Sequence, residues 1–239
     1  ILDRNGRLLA ENKLIYSVEI LPSQVDDMGA LLNQIARLIH LDEISVERFM
    51  AQVKSRPSFE PQTLKLALNE SEVARYAVHQ HKFDGASLKV QVARNYPYGE
   101  ETAHVVGYVG RISQDDLAVI DREAYRGIRY IGRLGIEGMY EERLRGQIGY
   151  EQVETTAHGR SVRVLERQGP INGEDLILGL DIELQIAARE ALGDYRGSIV
   201  ALDPASGDVL AFVSNPVYDP NLFVNGISQE KYGKLRDNL

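Results

Sequence analysis

The 239 residues include no cysteine. That excludes disulfides and thiolate metal sites and leaves the redox compartment open. No run of about 18 apolar residues occurs, so nothing in this sequence reads as a membrane-spanning helix. No signal-peptide pattern opens it either. Ile1-Leu2-Asp3 reads as the continuation of an upstream segment. The phosphate-loop pattern GxxxxGK[ST] is absent. Basic residues are the minority, 27 Lys and Arg against 35 Asp and Glu, a net charge of −8. Residues 1–150 hold 19 basic against 21 acidic groups, and residues 151–239 hold 8 against 14. Nucleic-acid binding needs a basic face, so no nucleic-acid partner is expected. Arg122, Arg126, Arg129, Arg133, Arg143 and Arg145 lie close in sequence. They are interleaved with Asp121, Glu123, Glu137, Glu141 and Glu142 and read as a solvated surface. Of the five histidines only His79 and His81 are near each other, and helix positions two apart face different ways. No metal and no cofactor is expected. Glu100-Glu101 and Asp115-Asp116 read as helix starts or loops, not as paired catalytic acids.

What is present is ordinary globular composition, 44% apolar and 26% charged, enough for one large domain or two medium ones. Residues 1–12, ILDRNGRLLAEN, read as strand, Asn5-Gly6 turn and return strand. Residues 14–93 then read β-α-α-β-α-β, a compact α+β lobe. Ser23 is the candidate cap of the first helix, whose apolar stripe runs Met28, Leu31, Leu32, Ile35, Leu38 and Ile39. A second helix begins near Ser45 and ends before Arg56-Pro57. Thr63–Leu68 alternates as a strand. Asn69 with Glu72 makes a capping box for a third helix, and Asp84-Gly85 turns the chain into the strand Ser87–Ala93.

Beyond residue 94 the chain changes character. Six glycines fall between Gly127 and Gly149, marking turns and close backbone approach. Ile136–Leu144 reads as a short helix closed by Gly146, and residues 150–166 as a two-stranded polar ribbon broken at His158-Gly159. Leu176–Leu180 reads as a strand, followed by a helix from Asp181 to about Ala191. Ile199–Leu202 and Val209–Val213 are continuous apolar runs around a Pro204 and Gly207 turn. They predict a hairpin buried on both faces, the opening of a domain that 25 further residues do not complete.

Ser228-Gln229-Glu230-Lys231 fits S-x-x-K, which sets a serine and a lysine one helical turn apart so that the amine assists deprotonation of the hydroxyl. The companion patterns S-D-N, S-x-N and K-T-G occur nowhere in the chain. The match reads as a decoy, a polar helix start capped by Ser228.

Six segments taken in order resemble one family. They are ILDRNGRLLAEN (1–12), RNYPYG (94–99), HVVGYVG (104–110), GRLGIEGMYEERLRGQIGYEQVE (132–154), LDIELQ (180–185) and GSIVALDPASGDVLAFVSNPVYDPNLFVNGIS (197–228). The family is the class B penicillin-binding proteins, most closely the elongation-specific peptidoglycan D,D-transpeptidases of the penicillin-binding protein 2 group. The resemblance implies an α+β, multi-lobed pedestal of the dimerisation type. The first strands and helix of a penicilloyl-serine transferase-like domain would follow. Residues 1–175 would be the non-catalytic pedestal, with a head lobe at about 14–93 and a Gly-rich linker and ribbon at about 94–175. Residues 176–239 would begin the transpeptidase domain.

The family's nucleophile lies in an S-x-x-K preceded by Pro-Gly, some tens of residues after the DPNLF stretch. Ser228 follows Phe223 by five residues and is preceded by Gly226-Ile227, so no catalytic role carries over to Ser228 or Lys231. Arg4, Arg94 and Glu137 match charged positions of the pedestal motifs. They are expected to meet in one ion-pair cluster, the alternative being three separate surface charges.

The implied parent cross-links peptidoglycan stem peptides through an acyl-serine and is acylated by β-lactams. It would be anchored on the periplasmic face of the bacterial inner membrane, with a RodA-type glycan polymerase and an MreC-type scaffold as partners. This chain is expected to act in partner binding and positioning. A division-specific relative and an unrelated acidic secreted binding module are the alternatives.

Overall fold

The computed structural model describes residues 1–113, 115–155, 161–224, 227 and 229–238. They form two compact units, Asn12–Ala93 and the combination of Ile1–Glu11 with Arg94–Leu239. Among the described residues no helix is long and apolar enough to cross a membrane.

The first unit follows the order β1 (Glu11–Ile20), α1 (Met28–Ile35), α2 (Glu43–Ser55), β2 (Gln62–Lys65), α3 (Glu70–His79), β3 (Ala86–Asn95). The three strands form one sheet ordered β2-β1-β3. β2 runs antiparallel to β1, with Ile20 opposite Gln62 and Val18 opposite Lys65. Val18 and Ile20 send their side chains into a core shared with Ile35, Phe49, Leu64 and Tyr76. The helical stripes read in the sequence are therefore the faces that bury apolar area.

Helix starts follow local chemistry, with one correction. Asp27, not Ser23, caps α1, its carboxylate accepting from Ala30 N. Ser23 lies in a single 3-10 turn, Pro22–Gln24, which Pro22 opens and extended Val25 ends. Asp27 has the extended backbone and the carboxylate reach that an N-cap needs. Asp42 caps α2 in the same way, through Ser45 N at 2.7 Å. The Asn69–Glu72 capping box closes as read.

Glu72 does more than cap. It is buried, and besides Asn69 N it accepts from His40 N at 2.8 Å and Lys65 Nζ at 2.6 Å. One carboxylate thereby ties α3 to β2 and to the loop after α1. Burial works to raise its pKa. The Lys65 ammonium and the His40 and Asn69 amides outweigh burial and hold it below the ordinary carboxylate range.

The second unit holds α4 (Ala103–Val106), β4 (Val109–Arg111), β5 (Tyr130–Gly132), α5 (Gly135–Met139), α6 (Glu141–Arg145), β6 (Tyr150–Thr155) and β7 (Ser161–Gln168). After these come α7 (Ile182–Leu192), β8 (Gly197–Leu202), β9 (Val209–Asn215), α8 (Asn221–Val224) and α9 (Gln229–Asn238). The pairs β4–β5, β6–β7 and β8–β9 are separate two-stranded antiparallel sheets. The ribbon break read at His158-Gly159 lies outside the described residues.

Three local readings change. The helix read over 136–144 is two short helices, because Tyr140 leaves helical geometry between them. The N-terminal hairpin shrinks to one antiparallel bridge, Leu2 to Leu8, and Leu2 also bridges Ile177 in parallel. Its backbone groups are taken by the 176–180 segment, with Leu2 N donating to Leu176 O, Leu178 N to Leu2 O and Arg4 N to Leu180 O.

The third change concerns the β8–β9 hairpin, which is buried on one face, not both. Ala211 and Val213 are buried, while Val200, Leu202 and Phe212 are exposed. α7 covers one side, and its Gln185 side chain exchanges two hydrogen bonds with the Phe212 backbone, at 2.7 and 2.8 Å. The second apolar face has no cover among the described residues.

Because the Glu72 pKa is depressed by folding, its stabilising contribution is complete above the unfolded-state value and disappears as pH falls through the folded-state value. Glu72→Gln should lower stability at pH 7 by about 3 kcal/mol, with the gap to wild type closing below the ordinary carboxylate range. Urea melts across pH test this, and a gap independent of pH would refute it.

Candidate functional site

Distant segments of the second unit converge on one buried carboxylate. Glu137 sits on α5, and its side chain is 3% exposed. Arg94, at the end of β3, donates from Nε to Glu137 Oε1 at 2.6 Å. The Tyr96 hydroxyl donates to the same oxygen at 3.2 Å and accepts from Val109 N at 2.8 Å. Burial, then the adjacent Glu137 charge, push the Tyr96 phenol far above its ordinary pKa. It stays neutral and keeps its proton for the carboxylate.

The backbone around this pair is set by glycine. Gly107 has φ +75°, and a Cβ there would lie 1.9 Å from Leu134 O. Gly135 has φ +58°, and its Cβ would meet Val105 O at 2.4 Å. Only glycine lets the end of α4 and the start of α5 approach this closely, and that approach delivers Glu137 to Arg94.

Tyr96 also faces the later part of the chain. Its N–H donates to Asn221 Oδ1 at 3.0 Å, and its carbonyl accepts from Asn221 Nδ2 at 3.0 Å. Nearby, His104 Nε2 donates to Pro216 O at 2.9 Å, and the Tyr218 hydroxyl donates to Ala103 O at 3.1 Å. The Tyr108 and Phe223 rings stack with centroids 4.1 Å apart. Asp3, fully buried, accepts from Asn5 N and Arg7 N at 2.8 Å and from Ile182 N at 3.4 Å. Arg7 pairs with Glu183. These contacts bind 1–11 and 94–109 to 176–223; their chemistry is cohesion.

Of the three charges read as one cluster, Arg94 and Glu137 meet, and Arg4 is elsewhere. Arg4 is exposed, its backbone amide is spent on Leu180 O, and its charge acts on Asp203. The tight turn after Asp3 sends the Arg4 side chain to the surface. Ser228 lies outside the described residues, and Lys231 falls within α9. Among the described residues no group of three His, Cys, Asp or Glu is placed to hold a metal.

Tyr96, Asn221, His104 and Gln185 were not singled out in the sequence as individual positions. Each lies in a segment that was, such as RNYPYG and DPNLF, but a pairing across 125 positions leaves no local signal.

The model of the penicillin-binding protein dimerisation domain matches residues 1–178. The chain belongs to this penicillin-binding protein family. It is 41% identical over its whole length to the peptidoglycan D,D-transpeptidase MrdA of Acinetobacter baumannii, covering 36% of that protein. It is 42% identical over 98% of its length to the MrdA of Salmonella typhimurium, covering 38%. The solved complex between penicillin-binding protein PBP2 and MreC from Helicobacter pylori contains a chain similar to 99% of this one. That match has a TM-score of 0.76 at 27% identity and covers 44% of the solved chain. The chain thus spans little more than a third of the length of these curated relatives.

Removing the buried carboxylate takes the ion pair from Arg94 and the acceptor from the Tyr96 hydroxyl. Glu137→Ala should destabilise the chain by about 3–5 kcal/mol, read as a lowered thermal midpoint. An unchanged midpoint would mean the pair is not a joint of the fold.

Proposed function

We propose that the chain is the pedestal and the first part of the catalytic domain of an elongation-type peptidoglycan D,D-transpeptidase. In this reading residues 1–175 are the pedestal, with its head at about 14–93, and residues 176–239 begin the transpeptidase domain. The end-to-end similarity to MrdA proteins carries the reading. The half-covered β8–β9 hairpin supports the second boundary, since its exposed Val200, Leu202 and Phe212 need further polypeptide against them.

The parent joins stem peptides through an acyl-serine and takes β-lactams at the same serine. Ser228 and Lys231 are not that site, so the 239 residues alone do no chemistry. Their part is to position the catalytic domain and to meet partners: an MreC-type scaffold, in line with the Helicobacter complex, and a RodA-type glycan polymerase. The parent sits at the periplasmic face of the inner membrane. Arg94 and Glu137 hold the pedestal segments in register for this task.

A fluorescent penicillin, followed by intact mass, tests the reading on this chain and on the longer chain. The expected outcome is a labelled serine in the longer chain and none here. Labelling of this chain that Ser228→Ala abolishes would overturn it.

A further inference from the structure

The described residues hold two Asn-Gly pairs, Asn5-Gly6 and Asn172-Gly173. Such a pair is chemically labile, because glycine has no side chain to keep its amide nitrogen away from the preceding carboxamide. In sequence the two pairs are alike, and their surroundings separate them.

Both asparagines are exposed, but Asn5 is held. Its Nδ2 donates to Asp181 Oδ2 at 3.3 Å, and its backbone N donates to Asp3 Oδ1 at 2.8 Å. The Gly6 amide, the nucleophile of that pair, donates to Asp3 O at 3.1 Å. The need to free a carboxamide from a charged acceptor slows attack on it by about tenfold. Among the described residues the Asn172 side chain makes no hydrogen bond and the Gly173 amide donates none.

Gly173 has to be glycine, since a Cβ there would lie 2.0 Å from Leu144 O. Residues 143–147 and 171–174 cross at backbone contact and are tied on both sides of Asn172. Gln147 N donates to Ile171 O at 2.8 Å and Ile171 N to Gln147 O at 2.9 Å, while Glu174 N donates to Arg143 O at 2.8 Å. The first tie is the base of the β6–β7 ribbon, because Gln147 precedes β6 and Ile171 follows β7. The crossing that demands Gly173 thus leaves Asn172 open to the amide beside it.

We propose that Asn172 is a site of spontaneous modification to isoaspartate, and that the conversion loosens the base of the ribbon. The Gly173 nitrogen gives its proton to water or hydroxide and bonds to Asn172 Cγ. The Cγ–Nδ2 bond breaks, and the nitrogen takes up a proton and leaves as ammonia. The product is a cyclic succinimide. Water opens it at Cγ to give an aspartyl residue, or at the main-chain carbonyl to give an isoaspartyl one. The steps need only water. The isoaspartyl form routes the main chain through the side-chain carbons and adds a backbone atom between the Ile171 and Glu174 ties. A short span bracketed by hydrogen bonds has to give up one of them to take in that atom.

The test is incubation of the 239-residue chain in mildly alkaline buffer, folded and in urea, followed by peptide mapping and labelling with an isoaspartyl methyltransferase. In the folded chain conversion at Asn172 should outrun that at Asn5 by about tenfold or more. In urea the two rates should converge, because the hydrogen bonds that hold Asn5 are gone. In the converted chain, amide hydrogen exchange at Gln147 and Ile171 should quicken by about fivefold or more. Asn172→Gln does not close the small ring readily and should keep its exchange protection through the same incubation. Freshly prepared Asn172→Asp carries the charge without the added atom and should exchange as the unmodified chain does.

The inference is overturned if Asn5 converts as fast as Asn172 in the folded chain, or if the preference for Asn172 persists in urea. Unchanged exchange at Gln147 and Ile171 after conversion, or equal loss of protection in aged Asn172→Gln, overturns it as well. It stands or falls apart from penicillin labelling of the longer chain, which bears on the transpeptidase reading alone.

Discussion

The second unit depends on a carboxylate that water does not reach. A buried charge is unfavourable by several kcal/mol unless its partners arrive with it. Glu137 therefore forms only when Arg94 from the end of β3 and the Tyr96 hydroxyl reach it together. The same requirement fixes the backbone, because Tyr96 is held in turn by the Val109 amide, and Leu134 lies against Gly107 with no room for a side chain. Replacing the pair with apolar residues of the same volume would keep burial but lose the demand that these segments meet in one register. Selection of a register is the best-attested use of a buried ion pair.

From that point the network runs outward through backbone. Asn221 satisfies both polar groups of the Tyr96 peptide as a neighbouring strand would, and Gln185 does the same for Phe212. Side-chain amides thus stand in for strand pairing where no strand is available. At the other end, the first residues of the chain pair with 176–180, and Asp3 reaches the amide of Ile182 at the start of α7. The family model covers residues 1–178. The compact unit does not stop there, because residues 1–11 and 94–178 share it with the remaining sixty or so residues.

The two units differ in how much of them could be read from sequence. In Asn12–Ala93 the packing partners are close in sequence and the signals are local. The stripe of α1, the Asn69–Glu72 box and the element order were all legible; the local slips were Ser23 for Asp27, a choice between two nearby caps, and a strand read to Leu68 that ends at Lys65. Even there, the second role of Glu72, taking His40 and Lys65 as partners, needed β2 and α3 in place. In the second unit Arg94 and Glu137 could be named as charges that meet, but Arg4 could not be separated from them. Its side chain leaves the cluster only because the Asp3 turn directs it outward.

The sequence alone determined the element order of Asn12–Ala93, the Asn69–Glu72 cap, the absence of any cysteine chemistry and, through six ordered segments, the family. These follow from interactions within a few residues, or from patterns a whole family carries. Tertiary structure decided which charges pair, that Tyr96 is the node, and that the β8–β9 hairpin is covered on one face only. Each of these is set by what packs against a residue from far along the chain, and apolar runs and charges look the same in sequence whether or not that cover is present.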